Sequence, residues 1–172
     1  MLFKRTKKVQ NPVLGVLDLG VDSMKEIVAE DLAALAPLFS ETRHATDAPL
    51  PCDVLLAYCE ITASGKVKGS QRSFREIVRD AMASVVVVAR EHPVEAYIAG
   101  IPILPFGRTN LIMTLKRNDP AFRPFLSRLF TEMKKGRALP AAWQVVSAPD
   151  PQLVRAPPEL IYSNEIDPVT FG

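Results

Sequence analysis

Short apolar segments alternate with segments of helical period along most of the chain. The apolar segments are rich in β-branched residues and are predicted as strands over Val13–Leu19, Val54–Cys59, Ser84–Arg90, Leu111–Leu115 and Ala142–Val146. The second and third of them are apolar at nearly every position, as in strands that are buried on both faces. The pattern therefore predicts an α/β domain: a three-layer, mainly parallel sheet of about five strands flanked by helices, either flavodoxin-like or caspase-like.

Three helices are predicted between these strands, with a short one before the fourth strand. A capping box, Ser23-x-x-Glu26, precedes the first, whose apolar positions are Met24, Ile27, Val28, Leu32, Leu35 and Leu38. A second box, Ser73-x-x-Glu76, precedes a helix with Phe74, Ile77, Val78 and Ala81 on its inner face. Pro93 predicts the short helix, Val94–Ala99. The longest is expected after Asp119-Pro120, with an apolar face of Phe122, Phe125, Leu126, Leu129, Phe130 and Met133 and an end at Lys134-Lys135-Gly136.

The remaining segments divide the chain. Residues 1–12 carry Lys4, Arg5, Lys7 and Lys8 and are expected to be a basic disordered terminus, whereas residues 13–147 form the single α/β domain. Residues 40–52 read as a loop with a short edge strand. Residues 148–172 hold five of the 15 prolines and no helical period, which predicts a Pro-rich extended tail that lies over the domain or a partner.

The composition limits the class of protein but does not indicate a function. A chain of 172 residues with 48% hydrophobic and 23% charged residues is typical of one soluble globular domain. The net charge of +2 does not indicate a nucleic-acid partner, and no apolar segment is long enough to predict a membrane span. We expect a cytoplasmic protein whose two cysteines, Cys52 and Cys59, are free thiols. The two histidines are too few for a multi-histidine metal site.

Polar residues follow each predicted strand, and parallel strands place them at one edge. Open α/β sheets bind ligands outside the carboxyl ends of their strands. The residues expected there are Asp18, Cys59, Glu60, Arg90, Glu91, His92, Lys116, Arg117 and Asn118. Charge is also expected wherever a strand leaves the core, so their function stays a hypothesis.

Two further hypotheses concern the segment after the second strand. Cys59 would be a nucleophile if His92 or His44 acted as its base with help from Glu60 or Asp18, and otherwise it is a small residue that ends a buried strand. The following loop carries Lys66, Lys68, Gly69 and Ser70 between a strand and a helix, where backbone N–H groups and lysines hold phosphate in other proteins. It does not match the P-loop pattern, and a turn with solvated lysines explains it equally well.

One family resemblance covers about residues 53–136. The strand followed by Cys59-Glu60-Ile61, the glycine-bearing loop, the helix, Ala83–Ala89 and the helix ending Met133–Gly136 resemble the second half of CHAT-type caspase-like domains. The resemblance implies a cysteine at the end of one strand and a histidine at the end of the preceding strand. Asp18 stands where that histidine is expected, so the resemblance supports the layered fold and argues against an intact Cys-His dyad.

The leading interpretation is a non-catalytic module, a degenerate caspase-like or flavodoxin-like domain, that binds a ligand or partner at the carboxyl edge of its sheet. A small anionic ligand, a protein partner or a second copy would fit, and no cofactor is assigned. The alternatives are a hydrolase or transferase that uses Cys59 and a phosphate- or nucleotide-binding domain that uses residues 65–70.

Overall fold

The computed structural model describes residues 6–20, 25–90, 92, 95–96, 111–114, 121–147, 159–162 and 168–172. Its elements are β1 (Lys7–Val9), β2 (Val13–Asp18), α1 (Lys25–Leu35), a 3-10 turn (Ala36–Leu38), β3 (Glu41–Ala45), β4 (Val54–Tyr58), α2 (Phe74–Ala81), β5 (Val85–Val88), β6 (Leu111–Thr114), α3 (Phe122–Lys134), α4 (Leu139–Ser147), β7 (Glu159–Tyr162) and β8 (Val169–Phe171). The predicted α/β class is confirmed.

The main sheet is mixed, and its parallel part has a crossover order. Its strands run β3-β2-β4-β5-β6-β7 in the described part of the chain, and all neighbours are parallel except β6 and β7. The first five strands that enter this sheet are therefore arranged 2-1-3-4-5. This confirms the expected mainly parallel sheet, and β3 is the short edge strand expected within residues 40–52.

Helices cover both faces of the sheet because β4 and β5 are buried at every position. Alternate residues along these strands point to opposite faces. Leu56 and Val87 belong to one apolar cluster together with residues of α1, α3 and α4, whereas Leu55 and Val86 belong to another together with residues of α2. The fold therefore has three layers, with α1, α3 and α4 on one side and α2 on the other.

The capping box predicted for α2 and the apolar face predicted for α3 are both confirmed. Ser73 Oγ accepts a hydrogen bond from the backbone N–H of Glu76, and the carboxylate of Glu76 accepts one from the backbone N–H of Ser73, so the capping box of α2 is complete. The predicted apolar face of α3 is buried at all six positions, and Gly136 follows the helix with a φ of 89°. The expected caps at Ser23, Pro93 and Asp119-Pro120 lie outside the described residues.

The prediction of a strand over Ala142–Val146 is wrong, since these residues lie within the helix α4. Tryptophan and paired valines favour a strand locally, but Leu139, Ala142 and Val146 also recur at helical spacing and are buried against α3. The ring of Trp143 packs edge-on against Phe125, with centroids 5.2 Å apart. Contacts with α3 therefore outweigh the local strand preference.

The two ends of the described chain pair with each other. Lys7–Val9, within the terminus expected to be disordered, is a strand parallel to Val169–Phe171 from the proline-rich tail. Lys7 Nζ also donates a hydrogen bond to Ser84 Oγ at 2.7 Å. Phe171 is buried and packs against the rings of Phe39 and Phe130, so the last strand contributes directly to the core.

Replacing Phe171 with alanine should therefore destabilise the domain by about 3 kcal/mol, because a buried aromatic ring would leave a cavity. Urea-induced unfolding followed by circular dichroism measures this change. The control is Leu50→Ala, since Leu50 is 44% exposed and its loss should change stability by less than about 0.5 kcal/mol. Equal stabilities of the two variants would show that the terminal strand is not part of the core.

Candidate functional site

The sheet has a topological switch point between β2 and β4. The chain leaves β2 through α1 to reach β3 on one side, and it leaves β4 through α2 to reach β5 on the other. Because α1 and α2 cover opposite faces, their connections separate at the carboxyl ends of β2 and β4. Ligands of open α/β sheets bind at such points. The carboxyl edge expected from the sequence is therefore the structurally favoured location of a site.

Three of the predicted residues meet at this edge. Glu60 Oε2 lies 3.3 Å from Lys68 Nζ and 3.3 Å from Arg90 Nη1, so one carboxylate contacts two cations. Both cations are largely exposed, with 71% of the Lys68 side chain and 56% of the Arg90 side chain accessible. We call Glu60, Lys68 and Arg90 the edge triad, and its formal charge is positive.

His92 lies beside the triad, with its imidazole engaged by the backbone. Its Nε2 accepts a hydrogen bond from the N–H of Ile61 at 2.8 Å, and its Nδ1 lies 3.2 Å from the carbonyl oxygen of Arg90. Partial burial lowers the pKa of His92, and the charge of Arg90 acts in the same direction. The ring is therefore neutral near pH 7 and joins two loops, so neither nitrogen is placed to take a proton from a thiol.

Cys59 is buried on the α2 side of the sheet. It packs in the cluster that contains Leu17, Ala57 and Phe74. Burial raises the pKa of its thiol to about 12, although Arg90 acts weakly in the opposite direction. A thiol in this state is almost entirely protonated at neutral pH, which does not favour the nucleophile hypothesis.

Asp18 belongs to the other side of the edge. It pairs in register with Tyr58, and neighbouring residues of parallel strands point to the same face. Tyr58 packs in the cluster formed with α1 and α3, so Asp18 and Cys59 occupy opposite faces. Asp18 Oδ1 accepts a hydrogen bond from the N–H of Gly20 at 3.0 Å, which fixes the turn after β2.

The loop over residues 62–70 is held by its own hydrogen bonds. The N–H groups of Gly65, Lys68 and Ser70 donate to carbonyl oxygens within residues 60–67, and that of Lys66 donates to Thr62 Oγ1. Gly65 and Gly69 have φ values of 78° and 76°, which explains glycine at both turns.

The other polar groups near the loop are also engaged. Ser70 Oγ accepts from the N–H of Arg72, and Glu76 occupies the amino terminus of α2. The backbone therefore offers little to a phosphate, whereas the side chains of Lys66 and Lys68 are exposed to solvent. Four residues expected at the same edge lie outside the described residues, and so their role stays a prediction: Glu91, Lys116, Arg117 and Asn118.

A buried polar network on the α1 side was not expected from the sequence. Asp31 is fully buried in α1, where it accepts a hydrogen bond from Tyr58 Oη at 2.7 Å. Arg123 at the start of α3 lies 3.3 Å from Asp31 and 3.0 Å from Glu30. One sequence feature could have indicated this network: Asp31 lies four residues after Ile27, on the apolar face of α1, where a charged residue is unusual.

Cysteine and metal chemistry receive no further support in the described residues. Cys52 and Cys59 are free and lie at opposite ends of β4; Cys52 packs against Gly15, and burial raises the pKa of its thiol to about 12. No group of three metal-ligating side chains occurs within the described ranges. No helix in the same part of the chain is long and apolar enough to cross a membrane.

Comparison with models of known protein families finds no match for this sequence, and comparison with curated proteins finds none either.

The state of Cys59 can be measured by alkylation in a Cys52→Ala variant, where labelling reports one thiol. Burial raises the pKa of the Cys59 thiol from its ordinary value of 9.0 to about 12, which predicts a thiolate fraction about a thousandfold below that of the unfolded chain at neutral pH. Iodoacetamide should therefore label the native variant far more slowly than the variant denatured in guanidinium chloride. Equal rates at pH 7 would contradict the buried state, and faster labelling of the native variant would indicate an activated nucleophile.

The buried network should be sensitive to loss of its cation. Arg123→Ala should destabilise the protein by about 3 kcal/mol, because it removes a counter-charge from the buried carboxylate of Asp31. Glu30→Ala removes only the exposed contact of the same guanidinium and should cost less than about 1 kcal/mol.

Denaturant unfolding of both variants and of Arg123→Ala/Asp31→Asn completes this test. The double variant should be more stable than Arg123→Ala, since a neutral amide needs no counter-charge. If Arg123→Ala and Glu30→Ala lowered the free energy of unfolding equally, the contact of Arg123 with buried Asp31 would contribute no more to stability than its exposed contact with Glu30.

Proposed function

We propose that this chain is a non-catalytic binding module that holds an anionic group at the carboxyl edge of its sheet. The group belongs either to a small ligand or to an acidic side chain of a partner. The observation that carries the proposal is the edge triad, in which Lys68 and Arg90 converge on one carboxylate at the topological switch point.

The geometry of the triad favours exchange of Glu60 for an incoming anion. Both contacts measure 3.3 Å, which is longer than the 2.7–2.9 Å of strong charge-assisted hydrogen bonds. Exposed ion pairs of this kind contribute only about 0–1 kcal/mol. An external carboxylate or phosphate would therefore meet two cations at little cost from the displaced internal contact.

The buried state of Cys59 and the backbone contacts of His92 favour binding over catalysis. A Cys-dependent hydrolase or transferase needs a thiolate and a base, and the pKa of about 12 and the neutral, engaged imidazole supply neither. Phosphate binding by the backbone of residues 65–70 is favoured less than binding by the triad, because these N–H groups are largely satisfied within the loop.

The order of the strands in the sheet also supports this proposal. The 2-1-3-4-5 order of the parallel strands is the order of flavodoxin-like sheets, which bind their ligands at this switch point. The resemblance to CHAT-type caspase-like domains agrees with a domain that keeps the layers without the dyad. The expected cytoplasmic location and a second copy as partner stay predictions.

Thermal unfolding in the presence of inorganic phosphate, ADP or citrate tests the proposal. A ligand at one hundred times its dissociation constant stabilises the folded protein by about 2.7 kcal/mol, which corresponds to a rise in Tm of several degrees. Glu60→Gln should enlarge the rise because it removes the internal competitor, and Arg90→Ala should abolish it.

The matched control is Arg79→Ala, which removes an exposed cation of α2 outside the triad. Its response should equal that of the wild type. A result in which no anion raises Tm, or in which Arg90→Ala and Arg79→Ala respond alike, would refute anion binding at this edge.

A further inference from the structure

A groove lies between the second half of α3 and the end of α4. Its volume is about 330 Å³, and its lining includes Arg128, Thr131, Glu132 and Lys135 on one side and Val145 and Val146 on the other. The same half of α3 contacts β8 through a hydrogen bond from Thr170 Oγ1 to the carbonyl oxygen of Met133. The edge triad lies at the carboxyl ends of β4 and β5, and none of its residues lines this groove.

The α4 wall of the groove is apolar and accessible. The buried face of α4 is formed by Leu139, Ala142 and Val146, which leaves Val145 on the outer side with 48% of its surface exposed. Helix α4 carries no charged residue over its nine positions. An exposed valine on the uncharged wall of a concave surface is a suitable contact for an apolar side chain.

The α3 wall is positively charged. Residues 122–147 contain five basic residues and one acidic residue, Glu132. Glu132 also lines the groove and forms ion pairs with Lys135 and Arg137, which follow the end of α3, so its single negative charge is exceeded by these two cations. Arg128 and Lys135 are exposed along the groove, and their charge is complementary to that of an acidic partner.

We propose that this groove binds an acidic amphipathic segment of a partner protein. An apolar side chain of the segment contacts Val145, and carboxylates on either side of it face Arg128 and Lys135. Amphipathic helices dock into grooves of this kind through an apolar stripe flanked by charge. This surface is separate from the carboxyl edge, so the inference does not depend on anion binding by the triad.

The test uses a synthetic fluorescein-labelled peptide in which leucines at helical spacing alternate with glutamates. Its binding to the full chain is followed by fluorescence anisotropy. Val145→Asp and the double variant Arg128→Glu/Lys135→Glu should each weaken binding by roughly tenfold or more, because they remove the apolar contact and the complementary charge. Added salt should weaken binding to the wild type, since the charges are exposed.

Three controls separate the groove from nonspecific attraction. Met82→Asp places the same charge at another exposed apolar residue, and Arg79→Ala removes an exposed cation of α2 outside both proposed sites; both should leave peptide affinity unchanged. A peptide with lysine in place of every glutamate should not bind. Circular dichroism verifies that each variant is folded.

Several outcomes would overturn the inference. They are no binding of the acidic peptide to the wild type, equal binding of the acidic and basic peptides, or equal affinity for wild type and Val145→Asp. A wild-type dimer that Val145→Asp converts to a monomer would also overturn it, because the groove would then be an interface between copies of this chain.

Discussion

Burial of β4 and β5 on both faces is the constraint on which the rest of the structure depends. A strand with apolar side chains on both sides cannot lie on a surface, so the sheet needs a helical layer on each face. Helix α2 supplies one layer, and α1, α3 and α4 supply the other. The divergence of α1 and α2 to opposite faces then creates the switch point where the polar residues gather.

The same alternation of side chains places the functional groups of the carboxyl edge on different faces of the sheet. Cys59 follows the register that faces α2, whereas Tyr58 and Asp18 follow the register that faces α1. The cysteine is therefore enclosed in an apolar cluster, and the polar network of Asp31 and Arg123 forms on the far side of the sheet. Among the described residues of this edge, those that combine exposure with proximity lie beyond the strand ends: the edge triad and His92.

The candidate site was predictable in its location and less so in its members. Parallel strands bring their ends together whatever the side chains, so Glu60 and Arg90 could be assigned to one edge from the order of elements. The engagement of His92 with the N–H of Ile61 depends on how two loops pack, which local sequence does not encode. Asp31 interrupts an apolar helical stripe, but the partners that make its burial possible are 27 residues away at Tyr58 and farther still at Arg123.

The sequence by itself determined the features that depend on near neighbours: the apolar strands, the capping box at Ser73 and Glu76, and the buried face of α3. Tertiary structure decided what depends on residues far apart in the chain. It made Ala142–Val146 part of a helix through contacts with α3, and it ordered Lys7–Val9 through pairing with Val169–Phe171. Periodicity reports which face of a segment is apolar, whereas the partner of that face is set by packing between distant segments.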